Sequence, residues 1–426
     1  MGSFRTPACK KAWRNSVDLP SYIPRDPVPG RDLIHYAGPF WDECEINAAV
    51  RSLTTGKWIS AGEAVRRFEN EFSAYFGHGA SLMVNSGSSA NLVMLSALKM
   101  KHGWGPGDEV IVSVVGFPTT VAPIIQCGLT PRFVDITMSD LNFDLSEVDR
   151  VINERTVAIF LSPVLGNPPN MAKLLEICYK RCTLILDGCD SLGTRWQGKW
   201  LSDYAEATSC SFYPAHHICT GEGGMVSSQD EDLITLARRF AHWGRDCYCV
   251  GAANALAKGS CGNRFASHLG PALGTVDHKY VFSEIGFNLK PLDLQGAIGS
   301  EQLKKFDRIH SSRRRIKERL SRALPEGCHS VSEPAGTETG WFGVPIICDS
   351  PEIKQRMVQG LERARIQTRN YFAGNLLSHP GYSGLGAAAD YPNANEVLRR
   401  VFFIGCHPGY DEATLSYIEQ TLAAAT

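Results

Sequence analysis

Short runs of β-branched and other apolar residues alternate with stretches of helical periodicity in the first part of the chain. The apolar runs lie at 110–117, 131–136, 157–164, 182–188 and 223–228. Strands that alternate with helices at this spacing are typical of βαβ units, in which the strands form a parallel sheet and the helices cover both of its faces. The sequence therefore predicts an α/β fold with a mostly parallel sheet.

The two ends of the chain have different patterns. Residues 1–40 are rich in Pro, Arg and Gly, which predicts an extended N-terminal arm. Residues 41–308 would form the large domain, and residues 309–426 a small C-terminal α+β domain with a strand in 340–348 and a helix in 350–364. With 426 residues, 43% of them apolar, the chain is long enough for two cores.

The charge of the chain is balanced, because 43 Lys and Arg residues accompany 44 Asp and Glu residues. There is therefore no basic footprint for nucleic acid and no polybasic patch for a membrane surface. The sequence contains no run near the ~20 apolar residues of a membrane span and no secretory signal pattern. We expect a cytoplasmic protein that acts on a small molecule. The run Arg313, Arg314 and Arg315 is predicted to lie on a solvated helix face.

Two local patterns indicate a ligand site. In segment 85–100, the small residues 86–89 precede an apolar-periodic helix. The N–H groups and dipole of a helix N-terminus favour a phosphate, although an ordinary serine N-cap gives the same pattern. Asp187 ends an apolar run and would point into the crevice at the carboxyl end of the sheet. There it can pair with a protonated pyridine nitrogen, or it can cap the following turn.

The segment 209–226, SCSFYPAHHICTGEGGMV, resembles the catalytic segment of the DegT/DnrJ/EryC1/StrS sugar aminotransferase family. These are fold-type I pyridoxal phosphate enzymes, with a large domain like that of aspartate aminotransferase and a small C-terminal domain. In that pattern Ser211 and Phe212 precede a lysine, and a Gly-rich turn follows it; here the lysine position is His216. Further matches occur in the same order along most of the chain: GKWISAG at 56–62, NSGSSAN at 85–91, LGNPPN at 165–170, DGCDSLG at 187–193 and GFNLKPLDLQGAIGSEQL at 286–303.

The resemblance implies which residues hold the cofactor. Asn288 would reach the cofactor phosphate of the neighbouring subunit, which implies a homodimer with shared active sites. Asp190 stands where the family usually has Gln or His near the cofactor's hydroxyl, which is a departure from the family pattern. The other implied contacts are Gly87, Ser88 and Ser211 at the phosphate, Phe117 stacked on the pyridine ring, and Asp187 at the ring nitrogen.

His216 changes the chemistry that this resemblance implies. Only a primary amine can tether the aldehyde of pyridoxal phosphate, so an imidazole excludes ordinary transamination. An imidazole can move protons, and its ordinary pKa of ~6.5 suits a general base. In the two deoxysugar branches with His at this position, pyridoxamine phosphate acts on a nucleotide-linked 4-keto-6-deoxyhexose, CDP- or TDP-linked, and the 3-hydroxyl is expelled. The resemblance implies a 3-dehydrase with His216 as the catalytic base; an inactive cofactor- or sugar-binding protein is the alternative.

Four cysteines distinguish the two branches. Cys189, Cys247, Cys249 and Cys261 are separated by 57, 1 and 11 residues. Four thiolates can hold an iron–sulfur cluster, although structural zinc and free thiols are alternatives. The spacing resembles that of the CDP-4-keto-6-deoxyglucose 3-dehydrase branch, which carries a [2Fe-2S] cluster, but the last gap is longer here. The resemblance implies that a flavin-dependent reductase or a ferredoxin supplies electrons; the cluster-free branch uses an amino donor instead.

Overall fold

The computed structural model describes residues 27–56, 59–245 and 264–425. In these ranges the α-helices are α1 (Glu43–Thr55), α2 (Glu63–Phe76), α3 (Gly87–His102), α4 (Pro118–Gln126), α5 (Leu145–Val151), α6 (Met171–Cys178), α7 (Glu231–Ala241), α8 (Asp293–Lys304), α9 (Phe306–Arg322), α10 (Pro351–Arg363), α11 (Pro392–Arg400) and α12 (Glu412–Ala424). The first nine strands are β1 (Ala80–Val84), β2 (Glu109–Ser113), β3 (Thr130–Val134), β4 (Thr156–Leu161), β5 (Thr183–Asp187), β6 (Arg195–Trp196), β7 (Lys199–Trp200), β8 (Ala207–Ser211) and β9 (Gly224–Ser228). They are followed by β10 (Ser267–His268), β11 (Thr275–Val276), β12 (Cys328–His329), β13 (Thr337–Glu338), β14 (Gly343–Cys348), β15 (Thr368–Asn370) and β16 (Val401–Gly405).

Seven strands form the main sheet, in the order β1-β9-β8-β5-β4-β2-β3. The pairs from β8 to β3 are parallel, whereas β9 is antiparallel to both of its neighbours. The central strands bury side chains on both faces, as Val110, Ile159 and Phe160 show with no exposed surface. Burial on both faces is typical of a parallel sheet covered by helices. The prediction of an α/β fold with a mostly parallel sheet is confirmed.

The C-terminal part contains an antiparallel sheet in the order β12-β14-β16-β15. Its strand β14 and helix α10 correspond to the strand and helix predicted in 340–348 and 350–364. Helix α9 runs through residue 308, and the domain boundary there remains a prediction. In the described part of the predicted arm, Ile34 is buried and its N–H donates to the Arg365 carbonyl at 2.8 Å. In the ranges described, no helix has both the length and the apolar character needed to cross a membrane.

His242 is buried in this fold, and His78 and His407 are partly buried. Burial lowers the pKa of His78 and His407 to about 4, and that of His242 to about 3. Because the unfolded-state pKa is ~6.5, such a histidine takes up a proton only when the chain unfolds. Its contribution to stability is complete above pH ~6.5 and is lost as the pH falls towards the folded-state pKa. Asp190, whose pKa burial raises to about 7, acts in the opposite direction.

We expect the urea concentration at the midpoint of unfolding to decrease as the pH is lowered below about 6.5. The His78→Phe substitution should make this decrease smaller. Each histidine of this kind lowers the free energy of unfolding by up to about 1.4 kcal/mol per pH unit. The His78 ring stacks on Phe72 and Phe76, so a phenylalanine ring can replace it. Urea titrations from pH 7.5 to 4.5 measure the effect, with the more exposed His329→Phe as control. An unchanged pH dependence in His78→Phe would contradict the assignment.

Candidate active site

A cavity of about 490 Å³ opens at the carboxyl ends of the parallel strands. It is bordered by residues that end or follow β1, β2, β4, β5 and β8, and this edge is the usual ligand site of an open parallel sheet. Eight of the predicted site residues line it: Gly87, Ser88, Phe117, Asp187, Cys189, Asp190, Ser211 and His216. The structure brings these residues together, while the role of each remains a prediction.

The N-terminus of α3 forms one end of the cavity. Ser86 caps the helix, because its hydroxyl accepts a hydrogen bond from the Ser89 N–H at 3.1 Å. A Cβ on Gly87 would lie 2.5 Å from the Ser211 Cβ, so only glycine allows this close approach. Ser88 is exposed here and its hydroxyl donates to the Thr119 hydroxyl at 3.1 Å. Small hydroxyl side chains around a helix N-terminus are suited to bind a phosphate.

Asp187 lies at the end of β5 with its carboxylate held in place. Its Oδ2 atom accepts hydrogen bonds from the Asn91 side-chain amide at 2.8 Å and from the Thr120 hydroxyl at 2.6 Å. Its Oδ1 atom accepts a longer bond, of 3.3 Å, from the Cys189 N–H. The side chain is 5% exposed and borders the cavity. Asn91 is the last residue of the NSGSSAN motif and Thr120 lies three residues after Phe117, yet the sequence analysis gave neither of them a role.

The His216 imidazole is largely enclosed, with 14% of the side chain exposed. Its ring centroid lies 5.0 Å from that of Phe342, and its Nδ1 atom lies 3.6 Å from Oδ1 of Asp190. Within the described ranges Nδ1 has no hydrogen-bond partner. Burial lowers the pKa of His216 from its ordinary value to about 3, and the positive charge of Arg313 adds to the effect. The imidazole is therefore neutral at ordinary pH and has a lone pair free to accept a proton.

The Asp190 carboxyl group lies beside this imidazole and forms an ion pair with it whenever the imidazole is protonated and the carboxyl group is ionised. Its Oδ2 atom accepts a hydrogen bond from the Leu165 N–H at 3.1 Å. Burial raises the pKa of Asp190 to about 7; the Leu165 N–H opposes this effect, and the charge of Asp187 adds to it. Near neutral pH the carboxyl is thus poised between its two protonation states, and it can donate or accept a proton next to His216.

The prediction that Arg313 lies on a solvated helix face is wrong, because its side chain is 2% exposed. Arg315 is exposed and Arg314 is partly buried. The Arg313 guanidinium donates to the carbonyls of His216 and Phe342 at 3.1 and 2.9 Å. Helical periodicity gives the signal that could have identified it, since position 313 shares a helix face with Ile309 and Ile316.

Aromatic side chains form much of the remaining cavity wall. Phe117 exposes 52% of its surface, and its ring centroid lies 6.1 Å from that of Phe372. Its exposed face is available to stack on a planar ligand. Tyr36, Tyr213 and Phe342 also line the cavity, and like Phe372 they were not selected from the sequence. Tyr36, Phe342 and Phe372 come from segments distant in sequence, so no local motif marks them.

Cys189 is the single predicted cluster ligand within the described ranges. Its Sγ atom would be 3.0 Å from a Cβ on Gly87, beside the phosphate-type turn. Burial raises the pKa of this thiol well above its ordinary value, and the charge of Asp187 adds to the effect. Cys247, Cys249 and Cys261 lie outside the described residues. Within those residues no group of three or more His, Cys, Asp or Glu side chains is arranged to hold a metal.

Asn288 is exposed and is not among the residues around the cavity of its own chain. It pairs with His242 in an isolated antiparallel bridge. Apolar side chains near it are also exposed, including Ile285 at 97% and Phe282 at 52%. The contribution of Asn288 to a neighbouring subunit remains a prediction.

Comparisons with known proteins place this geometry in a family. The dTDP-4-dehydro-2,6-dideoxy-D-glucose 3-dehydratase of Saccharopolyspora spinosa is 37% identical over 93% of this chain and 87% of its own length. The lipopolysaccharide biosynthesis protein RfbH of Salmonella typhimurium is 34% identical over 93% of this chain and 92% of its own. The GDP-4-keto-6-deoxy-D-mannose 3-dehydratase of Yersinia pseudotuberculosis is 33% identical over 87% and 93%.

Solved structures of 3-dehydratases are also similar to this chain. A mutant of GDP-4-keto-6-deoxymannose-3-dehydratase with bound GDP-perosamine has a TM-score of 0.78 and 28% identity, over 91% of this chain and 100% of its own. The E. coli GDP-4-keto-6-deoxy-D-mannose-3-dehydratase with bound hydrated PLP has a TM-score of 0.79 and 29% identity, over 91% and 99%. The model of the DegT/DnrJ/EryC1/StrS aminotransferase family matches residues 41–423. The chain therefore belongs to the DegT/DnrJ/EryC1/StrS aminotransferase family.

Proposed function

We propose that this protein removes the 3-hydroxyl of a nucleotide-linked 4-keto-6-deoxyhexose, with pyridoxamine or pyridoxal phosphate as cofactor and His216 as the base. One observation carries the proposal. A neutral, largely enclosed imidazole borders the cavity of an aminotransferase-family protein, and none of the described residues that line this cavity is a lysine. Relatives named as 3-dehydratases of 4-keto-deoxysugars support the same reaction.

The residues around the cavity suit this cofactor. Because Gly87 has no side chain, the helix N-terminus can pack close to Ser211, and its N–H groups and the hydroxyls of Ser88 and Ser211 border the same cavity, where they would bind a phosphate. Phe117 offers an aromatic face for the ring, and Asp187 a fixed carboxylate for the ring nitrogen. When bound, the cofactor supplies an amine that joins the sugar ketone and a ring that takes up electrons.

His216 would transfer the proton of the reaction, and Asp190 would stabilise the charged imidazole. The neutral imidazole would accept a proton from the cofactor carbon that bears the amine, and it would return that proton to the departing 3-hydroxyl, which leaves as water. While the imidazole is charged, an ionised Asp190 carboxylate at 3.6 Å stabilises it. The enclosed position of His216 limits access of bulk water to the transferred proton.

We further propose that the reaction ends in reduction, through a [2Fe-2S] cluster held by Cys189, Cys247, Cys249 and Cys261. Loss of the hydroxyl as water leaves a sugar that needs two electrons and two protons to become the 3-deoxy product. A cluster can pass such electrons one at a time from a flavin-dependent reductase or a ferredoxin. The cysteine spacing and the location of Cys189 on the cavity wall support this proposal.

Metal content and turnover test the proposal together. We expect anaerobically purified protein to contain about two iron and two sulfide ions per chain, and to lose both in the Cys247→Ser variant. The Cys44→Ser variant, at an exposed cysteine outside the site, is the control. Turnover is assayed with CDP-, TDP- and GDP-linked 4-keto-6-deoxyhexoses, with either a reductase or an amino donor.

These measurements distinguish the proposed cluster-dependent dehydrase from a cluster-free dehydrase and from a binding protein. Iron-free protein that dehydrates the sugar with an amino donor would reject the cluster and retain the proposed role of His216. Protein that dehydrates none of the sugars under either condition, yet binds the cofactor, would reject the proposed reaction and favour a binding protein.

A further inference from the structure

Arg313 joins two segments of the chain behind the proposed base. One terminal nitrogen donates to the carbonyls of Trp341 and Phe342, at 3.4 and 2.9 Å. The other donates to the carbonyls of Ala215 and His216, at 3.3 and 3.1 Å. A single guanidinium therefore holds the turn that carries His216 against the segment that enters β14.

The turn around His216 depends on contacts of this kind. Residues 212–223 contain no helix or strand, and the His216 N–H donates to the Tyr213 carbonyl at 2.9 Å. Arg313 lies on α9, in the C-terminal part of the chain, and its side chain binds the carbonyl groups of Ala215 and His216 in this turn. It also fixes the backbone of Phe342, whose ring packs on the His216 imidazole at 5.0 Å.

Within the described ranges, the partners of the Arg313 guanidinium are carbonyl groups and not the carboxylate of an ordinary ion pair. Among the described residues Arg313 forms no salt bridge with a carboxylate, and its hydrogen bonds go to carbonyl groups and, at 3.8 Å, to the Cys406 sulfur. Burial of a cation is costly, and the carbonyl groups compensate its two terminal nitrogens, whereas Nε has no partner among the described residues. A planar guanidinium can donate to two segments at once, whereas a lysine ammonium cannot match this geometry.

We propose that Arg313 is a positioning residue, which sets the place of His216 in the cavity by clamping the carbonyls of residues 215–216 to those of residues 341–342. The inference rests on the proposed function, because it concerns the turn that carries the proposed base. It adds that the C-terminal part of the chain, through α9, controls the geometry of a base located in the loop between β8 and β9.

The Arg313→Lys and Arg313→Gln variants test this inference, with Arg315→Lys and Arg315→Gln as matched controls on the exposed face of the same helix. We expect the Arg313 variants to remain folded and to bind the cofactor. Their kcat should fall about 10- to 100-fold with little change in KM, because a small displacement of the base slows proton transfer without removing substrate contacts. The Arg315 variants should keep the wild-type kcat.

A second readout does not depend on sugar turnover. The same substitutions are placed in a His216→Lys background, and the rate at which pyridoxal phosphate becomes attached to residue 216 is followed by borohydride trapping. We expect Arg313→Gln to slow attachment at least about tenfold and Arg315→Gln to leave it unchanged. This readout remains informative if the wild-type protein dehydrates no sugar, so failure of the proposed function is distinguishable.

Two results would overturn the inference. One is equal kcat and equal attachment rate in the Arg313 and Arg315 variants. The other is loss of the folded state in both Arg313 variants, judged by far-UV circular dichroism and thermal melting, since Arg313 would then serve the whole fold and not this turn.

Discussion

The His216→Lys substitution is expected to produce a covalent link between residue 216 and pyridoxal phosphate, and to reduce dehydration of the sugar by at least about 100-fold. The lysine would supply the primary amine that the cavity lacks among its described lining residues. Burial and the nearby Arg313 charge, which lower the pKa of His216, would also favour the neutral and nucleophilic form of an amine at this position. Borohydride reduction followed by peptide mass spectrometry identifies the modified residue.

The His216→Asn variant separates loss of the base from gain of the amine. Its amide neither titrates nor attacks an aldehyde, so we expect it to lose dehydration and to form no covalent link. Reversible cofactor binding in His216→Lys, with no trappable lysine at position 216, would show that this residue does not occupy the lysine position of the family. The assignment of His216 as the base would then fail.

The strands of the main sheet differ in how far the sequence predicts them. Strand β4 is a continuous apolar run, because helices cover both of its faces, and a pattern search finds it directly. Strand β8 was not predicted as a strand, although its five residues are all buried. Its residues are small and polar, and their hydroxyls find tertiary partners: Ser209 donates to Asn91, which in turn donates to Asp187. Such partners leave no periodic signal in the sequence.

The same distinction holds at the site. Residues next to the ends of strands, such as Gly87, Asp187 and Ser211, were found because a local motif surrounds each of them. Arg313 and Phe342 reach the cavity region only after the C-terminal part of the chain has folded onto the sheet. The three consecutive arginines led to the prediction of a charged surface, because the sequence does not show that one of them, Arg313, donates hydrogen bonds to four carbonyl groups.

The pKa of His216 shows a third kind of difference. An imidazole in water has an ordinary pKa of ~6.5, and this value led to the expectation of a base that titrates near neutral pH. The folded chain encloses the ring and lowers that pKa to about 3. The neutral form needed by a base is therefore assured, and the partly protonated Asp190 becomes the group that titrates near neutral pH. Enclosure depends on the tertiary packing, which a sequence motif does not describe.

The Asp187→Asn substitution is expected to lower kcat by about 100- to 1000-fold while the protein stays folded. An asparagine can present its side-chain oxygen to Asn91 and Thr120, so the two shorter hydrogen bonds of the side chain are retained and only the 3.3 Å bond from the Cys189 N–H is lost. What is lost is the negative charge that keeps a pyridine nitrogen protonated, and with it the capacity of the ring to take up electrons. Steady-state kinetics with the sugar substrate measures the loss.

Two further variants show whether charge is the cause. Thr120→Val removes one of the two donors to Oδ2 but keeps the carboxylate, so we expect a decrease of only about tenfold or less. Asp349→Asn makes the same chemical change at an exposed aspartate and should leave kcat unchanged. If Asp187→Asn retained more than a tenth of the wild-type kcat, the carboxylate would not be the partner of a protonated ring nitrogen. Asp187 would then be only a structural support of the turn after β5, which is the simpler of the two roles that its sequence context allowed.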